Sequence, residues 1–338
     1  MAGDPGRQEA PIAAAASVAL AAAQSRPAVA SATRVSRLVR LLPPADFRQV
    51  LIGFRRGLRP SAAIETHLAG AVGDLLASPG TLVRAQLAYG VGRAFGLEVP
   101  AARAAAIAVE YLHTASLVFD DLPAMDDAHE RRGRPCPHVL YGEGAAILAG
   151  LALVHRAHAL VAEAAAELPA ERGRRAWLRL EQNVGLAGIL DGQAHDLHFR
   201  NGDPAAIAAG KTTPLLRLAL LLPAALAGAM AETESALDRL AAAWGQAYQA
   251  LDDFRDLLDS DRQSGKTGNR DARLGRPNLV RALGPERALA ALDRELAAAA
   301  SELVALAATP ELALPLTRFT RLLEDESDRI SGRLAVRG

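Results

Sequence analysis

The residues of this chain best suited to hold a metal ion are two aspartate clusters. Asp120-Asp121-Leu122-Pro123-Ala124-Met125-Asp126-Asp127 is the first, and Asp252-Asp253-Phe254-Arg255-Asp256 follows 132 residues later. Two carboxylates about 4 Å apart repel by about 4 kcal/mol at an effective dielectric of 20, so crowding them is costly unless a cation relieves the repulsion. Ligand sets made of carboxylate oxygen, with no Cys or His among them, suit a hard cation, Mg2+ ahead of Zn2+. Basic residues follow each cluster: Arg131-Arg132 after the first, Lys266 and Arg270 after the second. Carboxylates for metal beside guanidinium and ammonium for phosphate oxygens compose a site for a metal-bridged polyanion such as a diphosphate. A single cluster is ordinarily a solvated helix end. Two clusters with basic followers point to facing walls of one site.

The distribution of lysine supports a phosphate site. Of 38 basic residues only Lys211 and Lys266 are lysine, and both stand in Gly-Lys-Thr. A phosphate-binding P-loop needs a further Gly five residues upstream of the second one; those positions hold Ala205 and Ser260, and no strand precedes either. The two lysines read instead as point charges for a phosphate held elsewhere.

Helices must position these groups. The chain is 50% apolar, rich in Ala, Leu and Arg and poor in strand formers, and no useful stretch alternates with period two. Segments 101–119, 141–167, 212–231, 235–258 and 283–307 read as helices, several apolar on more than one face, as helices inside a large bundle are. The expectation is one all-α domain over 42–338, preceded by a disordered tail over 1–41 that is rich in Ala, Ser and Pro. That tail also has transit-peptide character, but Asp4 and Glu9 stand where a secretory signal would carry positive charge, so a cytoplasmic location is expected. Formal charge balances at +0, which indicates neither nucleic acid nor an anionic membrane surface as partner. The longest apolar run, Leu218 to Ala231, is too short for a membrane span and contains Pro223. One cysteine, Cys136, excludes an internal disulfide and has no evident activating partner.

With these features in hand the chain resembles the trans-isoprenyl diphosphate synthases. HTASLVFDDLPAMDDAHERRG at 113–133, DGQAHDL at 191–197, GKTT at 210–213, YQALDDFRD at 248–256 and SGKTGNRD at 264–271 look like that family's motif set, in order and at its spacing. The resemblance implies a large antiparallel helix bundle around a deep central cavity, a homodimer, and three Mg2+ ions per site. It implies metal binding by Asp120, Asp121 and Asp126 on one side and by Asp252 and Asp256 on the other, with Asp253 beside them in the second catalytic cluster. It places Lys211, Thr212, Gln249, Lys266 and Arg131 around an allylic diphosphate, and Arg84, His113 and Arg132 around isopentenyl diphosphate. Asp252 and Asp256 are one helical turn apart and share a face. Pro123 breaks the helix after the first cluster, so Asp126 must fold back to reach Asp120. The implied chemistry needs no side-chain nucleophile: positive charge stabilises the departing diphosphate, and the double bond of isopentenyl diphosphate attacks the allylic cation.

One segment departs from the pattern. The family's Gly-Gly-Lys-Arg-x-Arg-Pro aligns with Pro79-Gly80-Thr81-Leu82-Val83-Arg84-Ala85, so Thr81 stands in place of lysine and a charged phosphate contact worth about 1.5–3 kcal/mol is absent. Arg84 lies 29 residues before His113, room for one helical hairpin, whereas the similar Arg55-to-Pro60 segment lies too far back. A terpene-cyclase-like ionising enzyme, a helical metal-dependent phosphohydrolase using His195 and Asp196, and a non-catalytic partner subunit are the competing readings. The pairs His155/His158 and His195/His198 read as structural, as does His138, and Tyr248 and Phe119 adjoin the clusters either as cavity wall or as packing. The resemblance also implies that the product tail grows along the helix before the first cluster, where bulky residues set its length. Ala115 and Ser116 are small, and the next large residue one turn below Ala115, about 5.4 Å deeper, is Tyr111; this favours a product of twenty carbons, geranylgeranyl diphosphate, with a farnesyl or longer product as alternative.

Overall fold

A computed structural model describes residues 39–198, 204–258, 278–306 and 310–335. Residues from Val39 onward form one compact unit; the expected tail, apart from its last three residues, lies outside the described residues. In chain order the helices are α1 (Pro44–Arg56), α2 (Thr66–Ala77), α3 (Val83–Ala94), α4 (Val99–Asp120), α5 (Pro137–Tyr141), α6 (Glu143–Ala165), α7 (Ala170–Val184), α8 (Asp191–Leu197), α9 (Pro204–Ala227), α10 (Ala231–Leu258), α11 (Leu279–Leu283), α12 (Pro285–Leu306) and α13 (Pro310–Ala335). The fold class is all-α, as the absence of alternating patterns requires. A two-residue antiparallel pair, β1 (Glu130–Arg131) with β2 (Arg134–Pro135), is an addition the sequence reading lacked. Its turn residues Arg132 and Gly133 both have positive φ, +56° and +74°, the requirement of a type I′ hairpin.

Helices that read as apolar on several faces are the inner ones. In α3 every residue from Ala85 to Gly92 is buried, in α4 every residue from Ala105 to Leu112, and in α9 every residue from Leu218 to Leu226. α9 continues through Pro214 and Pro223 and packs against α3, α4, α7, α8 and α10. It is the element around which the site-bearing helices are arranged. α13 closes the far side, where Trp244 of α10 donates to Thr320 Oγ1 at 3.0 Å and its ring meets Phe319 edge-on at 4.7 Å. α6 is, by length and composition, apolar enough to cross a membrane. One face of it packs on α4, and the other exposes Ile147, Leu148 and Leu151.

Candidate active site

The first aspartate cluster terminates α4. Asp120 is its last residue, and the chain then folds back through bonds from Leu122 N to Phe119 O and from Met125 N to Leu122 O. Asp126 N donates to Asp120 O at 2.8 Å and Ala128 N to Asp121 O at 3.1 Å. The return that Pro123 demanded is therefore made by the backbone, with Asp127 held at φ +46° to close it. Strained backbone of this kind concentrates at functional sites. A carboxylate at a helix C-terminus also meets the negative end of the helix dipole, an unfavourable placement of about 0.3–1 kcal/mol. The first cluster stands so, at the end of the 22-residue α4. Burial pushes the Asp120 carboxyl above its ordinary range; the Lys211 ammonium opposes this, and the Asp126 charge adds to it.

Lys211 joins the first wall to the rest. Its Nζ lies 3.0 Å from Asp196 Oδ2 and 3.5 Å from Asp120 Oδ2. The next residue, Thr212, donates to Gln249 Oε1 at 3.2 Å, and Gln249 Nε2 donates to Asp253 Oδ1 at 2.9 Å. A continuous run of polar contacts thus connects Asp120 with the second cluster. Close helix crossings make it possible. A Cβ on Gly192 of α8 would stand 2.2 Å from Gly210 O, and one on Gly245 of α10 would stand 2.1 Å from Thr213 Oγ1. Only glycine lets three helix backbones approach closely enough to set Lys211 and Thr212 between the clusters.

Within the second cluster the three aspartates differ. Asp253 is buried, and its Oδ2 accepts Leu279 N at 2.7 Å, which ties α10 to α11. Asp252 is half-buried, 3.7 Å from Arg255 Nη1, while Arg255 Nε also reaches Glu326 at 3.0 Å. Asp256 is exposed on the same side of α10 as Asp252. Lys266 and Arg270 lie outside the described residues.

Beside the first cluster is a group of cations. Asp121 is buried and held by Arg131, whose Nε donates to Oδ2 at 2.7 Å and whose Nη2 donates to Oδ1 at 2.6 Å. The β1–β2 turn turns Arg132 towards Gly80, whose Cα leaves room for the guanidinium: a Cβ there would lie 2.2 Å from Arg132 Nη1. Arg84 Nη1 donates to His113 Nε2 at 3.2 Å, so the 29-residue hairpin of α3 and α4 brings this pair together as its spacing required. Burial, then the charges of Arg84, Arg132 and Arg131, holds His113 well below the usual imidazole range. Three guanidiniums thus gather around His113, a concentration of positive charge suited to an anionic ligand. Thr81 contributes its carbonyl to Gln86 Nε2 at 2.9 Å.

Asp196 was weighed in the sequence only as a partner of His195 in a hydrolase; the structure instead sets it on Lys211, fifteen residues on, while His195 Nδ1 lies 3.3 Å from Asp191 at the start of α8. Tyr248 lies near enough to Arg84 and Arg255 to act electrostatically on both, between the two walls. Phe119 packs on Gly150 of α6, and His158 stacks on Trp177. Cys136 is buried, its thiol pushed up to about 12 by burial and by Asp121.

An all-helical bundle with two aspartate clusters joined through one lysine, and guanidiniums gathered round a neutral histidine, defines the trans-prenyltransferase class. The polyprenyl synthetase model matches residues 65–302, and the chain belongs to that family. A geranylgeranyl diphosphate synthase of Pantoea ananas is 38% identical over 207 residues, 59% of this chain and 66% of that enzyme. The farnesyl diphosphate synthase of Escherichia coli is 37% identical over 216 residues, 62% of this chain and 72% of that enzyme. Among solved structures, a geranyltransferase from Helicobacter pylori, crystallised with magnesium and isoprenyl diphosphate, superposes with a TM-score of 0.74 at 26% identity, covering 83% of this chain and 96% of that one. The fold is the isoprenoid synthase fold.

Proposed function

We propose that this enzyme condenses an allylic diphosphate with isopentenyl diphosphate and that its product is geranylgeranyl diphosphate. The run of contacts from Asp120 through Lys211, Thr212 and Gln249 to Asp253 carries the reading, because it ties both carboxylate clusters to two adjacent residues of α9. The donor set suits Mg2+: oxygen ligands from Asp120, Asp121 and Asp126 on one side and Asp252 and Asp256 on the other, with buried like charge waiting for a cation. Three Mg2+ ions, when bound, would supply Lewis-acid stabilisation of the leaving diphosphate. The protein's own part is to orient and exclude water. In this proposal Lys211, Thr212, Gln249, Lys266 and Arg131 hold the allylic diphosphate, while Arg84, neutral His113 and Arg132 hold isopentenyl diphosphate so that its double bond faces the cation. Asp121 and Asp253 make additional bonds that fix Arg131 and Gln249.

Identity to geranylgeranyl and farnesyl synthases is nearly equal, so it does not choose the product. The helix before the first cluster supports twenty carbons. Ala115 is buried and small, and Tyr111 below it is fully buried, donates to Phe54 O at 2.7 Å and meets the Phe54 ring edge-on at 5.2 Å. A floor braced in this way is rigid. A homodimer is part of the proposal, supported by the exposed Ile147, Leu148 and Leu151 of α6 and by the exposed Trp177 and Leu178 of α7. Incubation with labelled isopentenyl diphosphate and each allylic diphosphate, followed by chromatography of the dephosphorylated products, tests the reading. A twenty-carbon alcohol formed with Mg2+ and lost with EDTA is expected. A fifteen-carbon end product refutes the length assignment, and turnover in EDTA refutes the metal.

A further inference from the structure

Glu110 has had no part in the chemistry so far, yet it is a carboxylate only 4% exposed, one turn before His113 on α4. Its Oε2 accepts the backbone N–H of Ala85 at 2.9 Å. Ala85 is the third residue of α3, where the amide has no partner within its own helix and is normally met by an N-cap side chain. α3 has no such cap. Its preceding residue is Leu82, held at φ +54° with no side-chain oxygen to offer. Glu110 does that work from a neighbouring helix, and the residue it fixes is adjacent to Arg84.

Charge points the same way. Burial weighs against the Arg84 guanidinium, and Tyr248 and Glu110 offset it; burial raises the Glu110 carboxyl, and Arg84 opposes that before the Ala85 amide does. Each buried guanidinium of the cation group thus has one carboxylate behind it, Asp121 for Arg131 and Glu110 for Arg84. A carboxylate facing a diphosphate directly would repel it. Turned onto a backbone amide beneath Arg84, it balances the guanidinium and fixes the helix turn that aims it.

We propose that Glu110 is a positioning residue for isopentenyl diphosphate, capping α3 across the helix pair and so aiming Arg84 at His113. This rests on the assignment of Arg84 and His113 to that substrate. Steady-state kinetics in Mg2+ with each substrate varied in turn test it. Glu110→Ala is expected to raise KM for isopentenyl diphosphate about tenfold or more, with KM for the allylic diphosphate and kcat within about twofold to threefold. Glu110→Gln keeps an acceptor for the Ala85 amide and should restore KM to within threefold of wild type. In an Arg84→Ala background Glu110→Ala should add less than twofold, because its effect passes through Arg84. Should Glu110→Ala not fold, Glu110→Asp, too short by one methylene to reach the amide, is put through the same cycle and should give a severalfold rise in the same KM alone. Equal rises in both KM values, or effects of Glu110 and Arg84 that multiply, would overturn the proposal. Wild-type protein that turns over neither substrate would instead refute the assignment beneath it.

Discussion

Gly192→Ala isolates the helix crossing that sets Lys211 between the clusters. The added methyl would lie 2.2 Å from Gly210 O, 2.3 Å from Gly210 C and 2.9 Å from Lys211 N. All three are backbone atoms of α9, so no flexible side chain can yield. Ordinary contact begins near 3.4 Å, which demands that α8 and α9 separate by about 1.2 Å. Overpacking of this kind costs about 1–3 kcal/mol, a fall in Tm of about 1–4 °C for a chain of this size. The larger consequence is chemical. Asp196 moves with α8 and Lys211 with α9, so the 3.0 Å contact between them opens, and a 1 Å misplacement near reacting groups costs about a hundredfold in rate. Gly73→Ala is the control: nothing lies within 4 Å of a Cβ there, in the middle of α2, and alanine should stabilise by about 0.5–1 kcal/mol with unchanged turnover. Thermal melts and turnover of labelled isopentenyl diphosphate read both variants. Gly192→Ala with wild-type Tm and kcat would show that the crossing does not set Lys211.

Tyr111→Ala should lengthen the product and Ala115→Tyr should shorten it, read by chromatography of the dephosphorylated alcohols; Tyr111→Ala also loses the bond to Phe54 O and its ring contact, so a stability loss of about 3–5 kcal/mol is expected. Unchanged product from both would place the floor elsewhere. Burial and the surrounding guanidiniums hold His113 neutral in the fold, while in the unfolded chain it takes up a proton below about 6.5, so its contribution to stability is present above that pH and lost as pH falls through it. Glu110 runs the other way, its raised carboxyl losing stability as pH rises from 4.5 upward. Comparing wild type with His113→Gln cancels the Glu110 contribution. Between pH 6.5 and 5 the variant should lose less stability than wild type, by at most about 2 kcal/mol, as chemical denaturation at each pH would show. Parallel losses would mean that His113 is solvated.

The fold class was legible from composition and period because burial on several faces is written into the side chains of α3, α4 and α9 themselves. The aspartate clusters were legible because like charge concentrated at helix ends is rare without a cation, and the fold-back of Asp126 followed from Pro123, a constraint on the backbone at one residue. The preference for Arg84 over the Arg55-to-Pro60 segment came from the 29-residue interval to His113, room for one helical hairpin, while their hydrogen bond belongs to the tertiary structure. What sequence could not supply was which groups spend their charge on each other. Asp121 and Asp253 sit in the same motifs as their neighbours, yet one is held by Arg131 and the other by Gln249 and Leu279 N, because both are buried against those groups. Asp196 and Glu110 bear on Lys211 and Ala85 only because consecutive helices cross closely, at points that no local pattern marks. The β1–β2 turn escaped notice because two residues on each side carry no period. Local order was set by the periodicity of the chain itself, and the electrostatic partners were set by helix crossings that three glycines permit and that no neighbouring residue announces.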